Sequence, residues 1–530
     1  MEFGPGDSIV LFGLLAASVT LLALAPRLRV PYPILLVLGG LALGFTPGLP
    51  HVELPPDLVL IGVLPPLLYG AAFFTSLRDL RTNARPISLL AVGLVVLTTV
   101  VVAVVAHSVV PSFGWLEAFV LGAVVSPTDP IAATVIARRL GVPRRIVSVI
   151  EGESLVNDGT GLVLYRFAVA AVVTGSFTLW EVGVRLVLVA LGGIAVGLAV
   201  GWVVRQARKR IDNPPVEITI SLLTGYFAYL PAEALGVSGV LAAVTVGIYM
   251  GWHTPELTNA QVRLQADAVW SILVFVLNAL VFVLVGLQLP TILDGIDHRS
   301  PGRLVWYAAA VSLAVILTRI AWVFPATYLP RWLSRRLRER DPSPSWRNPA
   351  VISWAGMRGT VSLAAALSIP LTVDTGSQFP NRNLIVFLTF SVILATLVFQ
   401  GLTLPLVIRG LGLEADNLDE REEAKARVRA AEAALERLEK VAPEEWVRGD
   451  TAERFRRLYD FRRSRFEARF DDDDDGAIEE RSTAYQRLRQ HLLDAEREAI
   501  LELRRSGEIG DEALNRVLRD IDLEEERLDV

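Results

Sequence analysis

Between residues 8 and 409 the chain alternates long, almost wholly apolar runs with short polar breaks, and the runs lack the charged face that a surface helix carries. A bilayer core about 30 Å thick takes roughly 20 apolar helical residues. Runs of that order, bounded by Pro, Gly and charge clusters, lie near 8–25, 31–49, 57–76, 86–111, 115–139, 146–174, 180–205, 215–231, 235–252, 267–290, 303–329, 348–371 and 382–409. The pattern predicts an all-α polytopic membrane protein of about thirteen transmembrane helices. After residue 412 it changes: stretches such as DEREEAKARVRAAEAALERLEKV repeat apolar positions at helical spacing on a charged background. Two domains are expected, a membrane domain over 1–412 and a helical cytosolic tail over 413–530.

Composition agrees, with 52% hydrophobic residues and a mean hydropathy of +0.46. Residues 1–410 hold 28 Lys/Arg against 21 Asp/Glu, and residues 411–530 hold 23 against 35, so a basic membrane part precedes an acidic tail. The loop charges are lopsided as well. One alternating set of loops carries twenty Lys/Arg, including Arg78, Arg81, Arg85, Arg138, Arg139, Arg144 and Arg145, and the other carries only Arg299, Arg303 and Arg382. Basic loops face the cytoplasm, which puts the N-terminus outside and the tail inside a multi-pass cell membrane protein. The absence of cysteine excludes disulfide and thiol chemistry. The opening MEFGPGDS lacks the basic region of a cleaved signal peptide, so the first apolar run is expected to be retained.

The fifth, sixth, eleventh and twelfth runs carry ionisable residues near their centres: Asp129, Glu153, Asp158, Arg319 and Arg358. Each costs about 2.5–3.5 kcal/mol at the middle of a lone helix, or roughly 15 kcal/mol together. They must therefore face the protein interior and compensate one another. In SPTDPIAATV, Pro127 and Pro130 interrupt a run, and in SWAGMRGTVS, Gly356 and Gly359 flank Arg358. Proline removes a helical hydrogen bond, and non-helical backbone at membrane depth needs cover from protein or a watery cavity. Breaks at matching places in two halves predict inverted repeats, the fourth to sixth runs matching the eleventh to thirteenth, with a site where two discontinuous helices cross. Asp129 would offset the positive half-helix N-termini there and Arg358 the negative C-termini.

The stretch GESLVNDG supplies the rest of the site. Glu153 and Asn157 stand one helical turn apart, as do Ser154 and Asp158, which makes one polar stripe, while Gly152, Gly159 and Gly161 would allow close approach of the broken helix. Carboxylate, hydroxyl and carbonyl oxygens suit a small hard cation.

The stretches SPTDPIAATVIARRLGVPRRI, IEGESLVNDGTGLVLYRFA, LTRIAWVF and GMRGTVSLAAAL resemble the monovalent cation:proton antiporters, in their sodium/proton exchanger branch of bacterial and archaeal type. The resemblance covers about residues 8–410. It implies a dimerisation region (about 8–76 and 180–290), a core (about 86–174 and 303–409) with two crossed broken helices, and a homodimer. By position it implies cation or proton binding at Asp158, with Asn157, Ser154, Thr128 and Asp129 around it and Na+ held by Asp158, Ser154 and Thr128. Glu153 would pair with Arg319, and Arg358 would serve the second broken helix. Many relatives carry an acidic residue after the aromatic of the third run, where this chain has Gly70 after Tyr69.

Three buried carboxylates against two guanidiniums leave one negative charge, and Asp158 is the group without a fixed partner. Proton and Na+ (or Li+) would compete for it, giving electroneutral exchange and a part in pH homeostasis. K+ in place of Na+, an intramembrane enzyme using Asp129 and Asp158, and a channel or sensor are the alternatives weighed. The expected partners are monovalent cations, protons and membrane lipids, with no cofactor and no nucleic acid. The run Asp471–Asp475 is expected to be an acidic linker, because a calcium loop would need Glu rather than Ser482 at its twelfth position.

Overall fold

The computed structural model describes residues 30–47, 56–174, 179–296, 300–413, 418–467 and 477–526, with scattered positions between 13 and 27. Part of the expected first span, and the Asp471–Asp475 run, lie outside the described residues. The chain forms two compact units, Met1–Ala415 and Asp416–Val530. Among the described residues it is helical, apart from one isolated bridge between Thr372 and Gln378.

In chain order the first unit contains α1 (Tyr32–Gly44), α2 (Leu58–Phe73), α3 (Leu77–Thr82), α4 (Ala84–Val109), α5 (Trp115–Val125), α6 (Ile131–Arg139), α7 (Arg144–Thr174), α8 (Leu179–Arg208), α9 (Pro214–Ala234) and α10 (Gly239–Leu257). It continues with α11 (Ala260–Asp294), α12 (Pro301–Leu333), α13 (Arg335–Arg340), α14 (Arg347–Trp354), α15 (Thr360–Leu367) and α16 (Arg382–Leu411). Among the described residues, six are long and apolar enough to cross a membrane: α4, α7, α11, α12, α16 and the Gly183–Arg208 part of α8. The second unit is built from α17 (Leu418–Val441), α18 (Gly449–Glu467), α19 (Ala477–Arg505) and α20 (Asp511–Glu526).

Two apolar runs are each split into half-helices. The first run stops at Val125 and resumes at Ile131, because Pro127 and Pro130 have no N–H to give to a helical ladder. The second stops at Trp354 and resumes at Thr360. Wide π turns also interrupt α2 (Leu58–Val63), α4 (Leu89–Leu94) and α16 (Ala395–Gln400).

The largest buried apolar cluster joins α5, α6 and α7 to α11, α12 and α14 to α16. A separate cluster packs Tyr69 of α2 and Trp270 of α11 with α8, α9 and α10. The helix α7 belongs to the first cluster and, through Leu155, packs on α2, α9 and α10 as well. A side chain at Gly161 would strike the Pro127 ring of the first break. Gly152 instead faces Ile87 and Leu80, and Gly159 faces Leu241 of α10. Only one of the three glycines therefore admits the broken helix.

At the end of the unit that holds α3 and α13, arginines gather on two carboxylates. Arg144 binds Asp79 through Nε (3.0 Å) and Nη2 (2.7 Å). Asp341 receives Arg145 (2.8 Å) and Arg331 (2.6 Å), and Arg85 stands 3.6 Å away. Partial burial raises the Asp341 carboxyl, but the Arg145, Arg331 and Arg85 charges outweigh it and hold the group below its ordinary value of 3.8. A carboxyl depressed in this way stabilises the fold above its unfolded value and loses the contribution as acid protonates the folded form.

Gly161→Leu should lower the yield of monodisperse protein severalfold, since overpacking costs about 1–3 kcal/mol, whereas Gly152→Ala, which meets movable leucine and isoleucine tips, should be milder. Size-exclusion profiles of the two variants check the ranking.

Candidate functional site

The site is built on α7, a continuous helix that places Glu153, Ser154, Asn157 and Asp158 on one buried stripe. Next to it lies the first break, Ser126–Pro130, and across from that the second break, Ala355–Gly359. The amide of Asp129 donates to the Met357 carbonyl at 2.8 Å, so the two breaks touch backbone to backbone.

Asp129 and Arg358 act reciprocally on the four half-helix ends. The Asp129 carboxylate accepts the N–H of Ile131 at 3.0 Å, at the start of α6, and lies against Gly359, immediately before α15. The Arg358 guanidinium donates from Nε to the Val125 carbonyl (3.1 Å), at the end of α5, and from Nη1 to the Gly356 carbonyl just past α14. Negative charge thus lies on two positive helix ends and positive charge on two negative ones. Gly359 makes room for this, since a side chain there would collide with the Asp129 carboxylate.

Arg319 of α12 forms a bidentate pair with Glu153, Nη1 to Oε1 at 2.5 Å and Nη2 to Oε2 at 2.8 Å, and both residues are fully buried. Its Nε and Nη2 also donate to the Ile352 carbonyl, at 3.1 and 3.0 Å, so it helps to cap α14. The chain of contacts runs on from there. Thr128 Oγ1 donates to Glu153 Oε1 (3.1 Å) and accepts from Asn157 Nδ2 (2.7 Å). The Thr128 hydroxyl, expected as a cation ligand, is thereby already engaged on two sides and offers its remaining lone pair.

Asp158 is buried and has no hydrogen-bond or ion-pair partner among the described residues, and the like-charged Asp129 stands near enough to act on it. Asn157 leaves Oδ1 buried without a donor. Ser154 is buried one turn before Asp158. Among the described residues no group of three His, Cys, Asp or Glu side chains gathers as a resident metal centre would require.

Two contributors escape a reading of the sequence. Thr396, in the π turn of α16, accepts the Arg358 backbone N–H at 3.1 Å, and a hydroxyl in an apolar run was its only visible signal. Arg208, counted with the loop charges, is buried on Glu217 at 3.3 Å. That pair is neutral and leaves the balance at the crossing unchanged. At the third run, Gly70 packs on the Trp270 ring, and the Tyr69 hydroxyl lies 3.5 Å from Ser221 Oγ, so aromatic packing occupies this region.

Comparison with known proteins bears on this geometry. A family described as "Sodium/hydrogen exchanger, transmembrane" matches residues 13–410. An uncharacterized Na+/H+ exchanger of Mycobacterium tuberculosis is 39% identical over 524 residues, covering 98% of this chain and 96% of that protein. The sodium, potassium, lithium and rubidium/H+ antiporter of Bacillus subtilis is 35% identical over 412 residues, covering 75% of this chain and 60% of the other. In fold, the chain is similar to the sodium proton antiporter of Methanocaldococcus jannaschii, with a TM-score of 0.61, 19% identity, and coverage of 77% of this chain and all of that one.

Breaking a buried ion pair on one side costs about 3–5 kcal/mol. Glu153→Arg or Arg319→Glu alone should therefore remove most folded protein, and the two together should recover more than either, as quantified by fluorescence-detected size exclusion.

Proposed function

Because the chain belongs to the sodium/hydrogen exchanger family, we propose that it exchanges Na+, or Li+, for H+ one for one, the two competing for Asp158. The observation that carries this reading is the isolation of that carboxylate. Glu153 is neutralised by Arg319, and Asp129 and Arg358 are taken up by helix ends. Of the five, Asp158 alone has no compensating group among the described residues, so burial makes its bare charge costly. A proton or a cation relieves that cost, and the presence of one removes the reason for the other. Net charge in the site is then the same in both loaded forms, which makes the exchange electroneutral.

For the cation, the buried oxygens of Asp158, Ser154, Asn157 and Thr128 form the proposed shell, with Asp129 adding negative potential. The unpartnered Asn157 Oδ1 favours this arrangement, since a buried carbonyl oxygen without a donor is itself unfavourable and a cation would satisfy it. Access alternates as the core (86–174 and 303–409) rocks against the dimerisation helices (8–76 and 180–290) of a homodimer, in a thirteen-helix, inverted-repeat architecture. The N-terminus lies outside and the acidic tail in the cytoplasm.

A second reading, K+ as the main cation, is favoured by the relative from Bacillus subtilis, whose name includes potassium and rubidium. Proteoliposomes under an imposed pH gradient separate the two. Na+ and Li+ should dissipate the gradient at lower concentration than K+ does, without dependence on membrane voltage. Asp158→Asn should fold normally and lose exchange by about a hundredfold or more, and full activity in that variant would overturn the assignment.

A further inference from the structure

Outside the ion site, the densest unbalanced charge is at Asp341, where Arg85 at the start of α4, Arg145 at the start of α7 and Arg331 at the end of α12 converge. Both Asp341 carboxylate oxygens are used, one by Arg145 and one by Arg331, and Arg331 Nε also holds the Asp341 backbone carbonyl at 3.1 Å. Arg145 is completed by Asn83 Oδ1 at 3.1 Å. Arg85 is not completed. Among the described residues its one ionic contact is the 3.6 Å approach to Asp341, and its Nε and Nη1 are buried with no acceptor.

Three guanidiniums on one carboxylate leave two positive charges in excess. Buried N–H donors without acceptors are rare and unfavourable, and a guanidinium edge matches the oxygens of a phosphate. The three arginines also stand at the ends of three long helices, close to where a bilayer boundary would lie. Trp332, beside Arg331, and Trp346, on the loop after Asp341, are exposed there, as tryptophan is at membrane interfaces.

We propose that this pocket binds a phosphate-bearing anion, the headgroup of an anionic phospholipid, with Arg85 as its principal donor. The headgroup would tie the ends of α4, α7 and α12 together. Two of these helices carry Asp158 and Arg319, so occupancy would stiffen the frame on which the ion site is hung.

The test uses the full chain, equilibrated in phosphatidylcholine vesicles with or without phosphatidylglycerol, extracted mildly and examined by native mass spectrometry. The wild type should retain phosphatidylglycerol in preference to phosphatidylcholine. Arg85→Gln should lower that retention about fivefold, the worth of one arginine near an anionic surface, and Arg85→Lys should keep most of it. Retention unchanged in Arg85→Gln would overturn the lipid assignment. Inorganic phosphate provides a separate arm. If it raises the melting temperature of the delipidated wild type but not of Arg85→Gln, while lipid retention is equal in both, the ligand is free phosphate and the lipid source is wrong. Equal behaviour of both proteins in both arms would overturn the site itself.

Discussion

Charge inside a low-dielectric slab has to be matched close by, and the membrane unit is arranged around that requirement. The Glu153 and Arg319 pair is satisfied within itself and by Thr128 and Ile352. Asp129 and Arg358 find their counterparts in backbone dipoles rather than side chains. Matching these four leaves Asp158 as the one of the five without a counterpart among the described residues, which is the arrangement that the proposed exchange requires. The residues that are matched define the one that is not.

Backbone accounting works in the same direction. Splitting two helices at membrane depth frees carbonyls at the ends of α5 and α14 and N–H groups at the starts of α6 and α15. In water these would be solvated; here Arg358, Arg319 and Asp129 take several of them, and the Asp129 amide takes a carbonyl from the opposite break. The prolines of the first break and the glycines of the second reach the same result by different routes. Proline removes donors that would otherwise need partners, and glycine clears the space that the charged side chains of the other elements occupy.

Much of this was legible in the chain because its signals are local. Apolar run length gives spans, Pro and Gly inside a run give breaks, and an ionisable residue inside a run must have a counterpart. The breaks and the charges beside them were enough to place Asp129 and Arg358 at helix ends, whereas the pairing of Glu153 with Arg319 came from the resemblance to known antiporters. What could not be read depends on the azimuth of each helix about its axis. Thr128 looks like a free hydroxyl in sequence, yet in the fold it is held between Glu153 and Asn157. Gly152 and Gly159 look equivalent to Gly161 but turn toward other neighbours. Arg208 sits among loop arginines and is nonetheless interior, because Glu217 at the start of α9 meets it.

Continuity of α7 carries one more implication. The broken helices surround it, but α7 runs unbroken for 31 residues, close to 46 Å at the usual helical rise. It is clamped near one extremity by Arg144 to Asp79 and, beyond Asp158, by Arg166 to Glu233 of α9 at 2.5 Å. Such a rod transmits tilt without bending. Asp158 lies 14 residues from Arg144, roughly 21 Å along the axis, so pivoting by about ten degrees around the Asp79 clamp would carry the carboxylate some 4 Å sideways. The Arg166 clamp and the Glu153–Arg319 pair would both have to accommodate that swing, so the travel of the lever is limited on either side of Asp158.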